Sequence, residues 1–146
     1  MRSSVSVFVA TLVSVAGSVA GSSEPRSVAL GEGFNLKIGE SAQIEALALQ
    51  IGFEEVSADS RCPKGERCIW EGDATVRVWL QKAHGPKETQ ELHTSSKEEG
   101  AVGFPGYGVK LLRLEPHPVS GKTIERGDYL ATLEVTRGSS DPPDSR

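Results

Sequence analysis

The chain reads as an all-β protein: an antiparallel β-sandwich or small barrel of six to seven short strands, with one disulfide-stapled loop. Three observations predict it. From Phe34 to Arg137 the apolar residues recur with a period of two. Clusters of Gly, Pro and Asp interrupt these runs at short intervals, as turns between strands do. Past the N-terminal apolar run, no segment sustains the i, i+3, i+4, i+7 spacing of an amphipathic helix, so no crossover helix is available for a parallel sheet.

Taken in order, Phe34, Leu36 and Ile38 alternate with polar residues until Gly39-Glu40-Ser41 breaks the run. Leu47, Leu49, Ile51 and Phe53 then share one face of a second strand, with Ala46, Ala48, Gln50 and Gly52 on the other. Ile44, Leu47 and Ala48 also fit a turn or two of helix over Ser41–Leu49, but the alternation from Leu47 onward is longer and favours strand. Val56 falls out of phase, which predicts a bulge at Glu54-Glu55. Ala74, Val76, Val78 and Leu80 line one face of the next strand, with Thr75, Arg77 and Trp79 opposite. His84 to Lys87 is a turn, Thr89 to Thr94 a short returning strand, and Ser95 to Pro105 an aperiodic loop. Tyr107, Val109 and Leu111 alternate, then Leu112 and Leu114 continue in the other phase, which predicts a second bulge or twist. Pro116-His117-Pro118 ends that strand, Ser120-Gly121-Lys122 turns, and Tyr129, Ala131, Leu133 and Val135 form the last strand.

The N-terminus has the layout of an export signal over residues 1–20. Arg2 supplies the positive charge, Val5 to Val15 the apolar region, and Ser18-Val19-Ala20 the small residues before a cleavage site near Ala20. The run is short for a bilayer span, which needs roughly 20 apolar residues. Residues 21–33 read as a flexible leader, 34–137 as a single β-domain and 138–146 as a disordered tail. The expected product is secreted or periplasmic, with no transmembrane span in the mature chain. Its net charge of −4 becomes one unit more acidic when Arg2 leaves. With no basic stripe and no aromatic stacking platform, nucleic acid is not an expected partner.

The densest chemistry lies between Asp59 and Asp73, which hold both cysteines. Cys62 and Cys68 close a ring that also contains Pro63, Lys64, Gly65, Glu66 and Arg67. An even cysteine count in an exported chain predicts a disulfide. Closing so short a ring stabilises the fold by roughly 2 kcal/mol through loop entropy. Two thiolates and three scattered histidines give neither a closed zinc site nor a Cys-x-x-Cys redox motif. No cofactor and no metal are expected. Trp70 is expected to pack on the disulfide as part of a small core, with Asp59, Arg61 and Asp73 fixing the loop through carboxylate acceptors and arginine pairing. A calcium site from Asp59, Glu71 and Asp73 is the competing reading, although the EF-hand ligand pattern is absent.

The run Asp59-Ser60-Arg61-Cys62-Pro63, followed by Cys68-Ile69-Trp70-Glu71-Gly72-Asp73-Ala74 and a Val-rich strand, resembles small exported bacterial proteins of unassigned function, many of them lipoproteins. Tyr107 to Leu111 and Asp128 to Val135 are similar too. The resemblance implies an exported β fold and brings no catalytic residues with it. This chain lacks the cysteine that follows the signal in the lipoprotein members.

Among function classes, an enzyme is disfavoured because no Gly-x-Ser-x-Gly elbow or other recognisable catalytic constellation is present. A binding module facing a protein or envelope partner is preferred, with Lys64, Glu66 and Arg67 as the candidate binding loop. The alternatives are a protease-inhibitor-like use of the Cys62–Cys68 loop, a hydrolase with an unrecognised site, and pairing of an open sheet edge with a partner.

Overall fold

In the computed structural model, residues 24–95, 101–104 and 106–138 are described. The expected signal at 1–20 and most of the expected tail lie outside them. Nine strands form two sheets: β1 (Arg26–Val28), β2 (Gly33–Lys37), β3 (Ser41–Ile44), β4 (Leu49–Asp59), β5 (Ala74–Lys82), β6 (Lys87–His93), β7 (Ala101–Phe104), β8 (Tyr107–Glu115) and β9 (Leu130–Arg137). One sheet has the order β1-β3-β4-β5-β6 and the other β2-β9-β8-β7. The sheets do not close on one another, so the fold is a sandwich and not a barrel.

Period-two patterning explains the core directly. Leu49, Ile51 and Phe53 of β4 and Ala74, Val76, Val78 and Leu80 of β5 are buried from one sheet. Tyr107, Val109, Leu111 and Leu114 of β8 and Ala131, Leu133 and Val135 of β9 meet them from the other. Both expected bulges are present, between Phe53 and Glu55 and between Leu111 and Arg113. The second turns Leu112 outward and returns Leu114 to the core. On the wet face of the larger sheet Trp79 lies over Gly52, where a Cβ would overlap the indole, and the Lys87 ammonium sits 4.2 Å from its ring centroid.

Several expectations are corrected. There are nine strands among the described residues and not six or seven. The strand expected to run through Leu47 is two: β3 ends at Ile44, a 3-10 turn covers Glu45–Leu47, and Ala48 takes a left-handed φ of 49° before β4 begins. Arg26–Val28, expected within a flexible leader, pairs with β3. That pairing is parallel without a crossover helix, because β2 in the opposite sheet makes the crossing instead. Ala101–Phe104, expected within a loop, is an edge strand beside β8.

Candidate functional site

The connection from β4 to β5 continues the hairpin beyond both strands. Ser60 N–H donates to Asp73 O (2.7 Å) and Cys62 N–H to Glu71 O (2.9 Å). The Ser60 hydroxyl also donates to Asp73 O. Gly72, at φ +78°, lets its backbone lie against the Ser60 carbonyl. The Cys62–Cys68 disulfide closes the head of this ribbon.

The ribbon's base is held by a buried ion pair. Arg61 donates to both carboxylate oxygens of Asp59, through Nε at 2.8 Å and Nη2 at 2.7 Å. The same guanidinium donates to Leu114 O (2.8 Å) and Pro116 O (3.0 Å), which ties the ribbon to the end of β8 in the other sheet. Tyr129 completes the group, its O–H donating to Asp59 Oδ2 at 3.0 Å. The two charged side chains are only 8% and 10% exposed. Burial alone pulls the Asp59 carboxyl upward, but the Arg61 hydrogen bonds and charge and the Tyr129 hydroxyl outweigh it and hold it below its ordinary value. Tyr129 is pushed up to about 12 by burial and by the Asp59 carboxylate.

These shifts fix the pH response. A depressed carboxyl stabilises the fold above its unfolded value of 3.8, and this contribution is lost as pH falls through the lower folded value. A raised phenol acts in the opposite range: its contribution is complete below the unfolded value of 10.0 and is lost as pH rises toward about 12. Wild-type melting temperature is therefore expected to fall between about pH 5 and about pH 3 more steeply than that of Asp59→Asn. Parallel curves for the two proteins would remove Asp59 as the cause.

The disulfide ring rests on the β8–β9 connection. Lys64 N–H donates to Pro118 O (2.9 Å) and Ser120 N–H to Lys64 O (3.0 Å), a bridge between Lys64 and Val119. The Ser120 hydroxyl donates to Glu66 Oε1 at 2.9 Å. His117 Nε2 lies 2.9 Å from the Cys62 carbonyl, which only accepts, so the proton is on Nε2. Arg67, Cys68, Ile69 and Trp70 are exposed and make no hydrogen bond within the described residues.

Of the expected loop-fixing residues, Asp59 and Arg61 come together. Asp73 stands at the same base but on the opposite arm of the ribbon, across from Ser60, and accepts instead from His93 Nδ1 (2.7 Å), Thr94 Oγ1 and Ser95 N–H. Burial pulls its carboxyl up, and the His93 and Ser95 hydrogen bonds outweigh that pull and leave it low. The expected role of Trp70 is corrected: it is 81% exposed, and Ile69 before it is 92% exposed. The ring is too short to fold over an indole, and the ribbon carries residues 69 and 70 outward. Among the predicted binding residues, Lys64 has its backbone occupied and Glu66 its carboxylate engaged, while Arg67 points to solvent. Tyr129, His117 and Ser120 were not anticipated from the sequence.

A substrate-like inhibitor loop must offer the N–H and C=O of its basic residue to a protease; Lys64 has both engaged, whereas Arg67 is exposed and has neither engaged among the described residues. His93 is oriented by Asp73, but the nearest hydroxyl, Thr75 Oγ1, shares the same Nδ1 at 3.3 Å. A hydrolytic triad places its nucleophile on the other ring nitrogen. Among the described residues no group of three or more His, Cys, Asp and Glu is arranged to hold a metal ion, and Asp59 and Asp73 are committed to separate partners. No helix among them is long and apolar enough to cross a membrane. No protein-family model, curated protein or solved structure matches the chain.

Proposed function

We propose that this protein is an exported, non-enzymatic binding module that grips a protein partner of the envelope or exterior with its Ile69–Trp70 tip. One observation carries the reading: two adjacent large apolar side chains are almost fully exposed on a loop whose base is rigidly fixed. Tryptophan is enriched among the residues that dominate binding energy, and a loop ordered beforehand loses little entropy on docking. The buried Asp59–Arg61–Tyr129 group and the disulfide supply that order at the cost of polar burial. The signal-like N-terminus and the resemblance to small exported bacterial proteins support the compartment.

Paired capture experiments test this. The purified protein and its Trp70→Ser variant are each used to recover partners from an envelope extract. The variant is expected to melt within about 0.5 kcal/mol of wild type, since an exposed substitution touches no packing. The recovered partner should bind it at least about thirtyfold more weakly, the loss typical of a central aromatic anchor. Equal recovery by the two proteins would overturn the proposal.

A further inference from the structure

We propose that the Cys68 sulfur is a site of thiol–disulfide exchange, and that its substrates are dithiols of the kind carried by disulfide oxidoreductases. The argument begins with the unequal settings of the two cysteines. Cys62 is half-buried, and its backbone is anchored on both sides, by Glu71 O and by His117 Nε2. Cys68 is exposed and is followed by two exposed residues. Among the described residues, nothing but the disulfide holds residues 67–70 to the rest of the protein.

An attacking thiolate therefore has access to one sulfur and not equally to the other. It bonds to Cys68 Sγ and breaks the S–S bond, and the electron pair leaves on Cys62 Sγ, which takes a proton from water. The second thiol of the dithiol then attacks its own sulfur in the mixed disulfide. Cys68 leaves as the thiol, and the reagent departs as its disulfide. Two electrons and two protons pass to the protein.

The fold does not depend on the bond. Arg61, Tyr129 and the Ser60–Asp73 and Cys62–Glu71 ribbon bonds hold the base without it, and Lys64 and Glu66 keep their seats on Pro118 and Ser120. Reduction thus frees the tip alone. This holds whether or not the tip docks a partner.

Two measurements on the purified, oxidised protein test the proposal. First, native protein is treated with glutathione, a monothiol that traps the intermediate, and the adduct is mapped by mass spectrometry. The adduct is expected on Cys68 with Cys62 free; an adduct mainly on Cys62 overturns the assignment. Second, protein reduced with dithiothreitol is exposed to trypsin. Cleavage after Arg67 is expected to accelerate by at least about tenfold, within the roughly fiftyfold ratio that closure of a seven-residue ring represents, while cooperative melting persists. Reduction that needs denaturant, or that abolishes the melting transition, sinks the idea of a local latch. A Cys62→Ser/Cys68→Ser variant should reproduce the fast cleavage with no reductant present; a variant as resistant as the oxidised protein would count against it equally.

Discussion

Replacing Arg61 with methionine is expected to destabilise the fold by about 3–5 kcal/mol, the range for removing one partner of a buried ion pair. The substitution keeps much of the side-chain volume, so the effect is polar and not a cavity. It leaves the Asp59 carboxylate, 10% exposed, with only Tyr129 among its side-chain donors. It also takes a donor from two main-chain acceptors, the buried Leu114 O at the end of β8 and Pro116 O just past it. Urea denaturation would measure the loss. Combining Arg61→Met with Asp59→Leu and Tyr129→Phe should recover a substantial part of it, because the remaining group is then apolar throughout. A single-variant loss below about 1 kcal/mol would show the pair to be solvated in solution.

The second large effect is expected at Gly72. Alanine there meets two penalties together. A φ of +78° is left-handed, which costs a non-glycine residue roughly 1–3 kcal/mol when enforced. The new Cβ would also run into the Ser60 carbonyl and the Arg61 Cα, which are main chain and cannot swing aside. Overpacking of this kind adds roughly 1–3 kcal/mol. A total of about 3 kcal/mol or more is the expected outcome of thermal or chemical denaturation. Gly127→Ala is the internal control: nothing lies within 4 Å of its Cβ position, and it should change stability by less than about 0.5 kcal/mol. Equal behaviour of the two variants would show that the ribbon relaxes freely.

The strands with the clearest alternation are flanked on both sides within a sheet, although β2 and β6 are also legible at sheet edges and interior β3 is not resolved from β4. In β5, β8 and β9 every second residue must be buried, so Ala74 to Leu80, Tyr107 to Leu111 and Ala131 to Val135 alternate in the sequence itself. Edge elements carry less of that signal. In Arg26–Val28 only Val28 is half-buried, and three residues do not define a period. Ala101–Phe104 sits among Gly and Pro, whose turn character dominates a reading of local composition. The left-handed residue that separates β3 from β4 is Ala48, where a reader looks for glycine.

The site was half legible. The ring, its disulfide and the Asp59–Arg61 pair follow from residues close in sequence. Leu114 and Tyr129 lie 53 and 70 residues from their partners in the cluster, and no local pattern announces them. Trp70 shows why composition misleads: the size of an indole states how much surface it has, not whether the chain's path leaves it inside. Its direction is set by the ribbon bonds on Cys62 and Glu71 and by the turn at Gly72.

The pairing of β2 with β9 has a consequence for the order of assembly. Phe34 lies opposite Leu133 and Leu36 opposite Ala131, so one of the earliest segments waits for the latest. The strand neighbour of β2 in its own sheet is β9, and contacts this distant in sequence form slowly. During synthesis, the smaller sheet stays incomplete until Arg137 has emerged. The larger sheet is under no such constraint: β3, β4, β5 and β6 pair in sequence order and need nothing beyond His93.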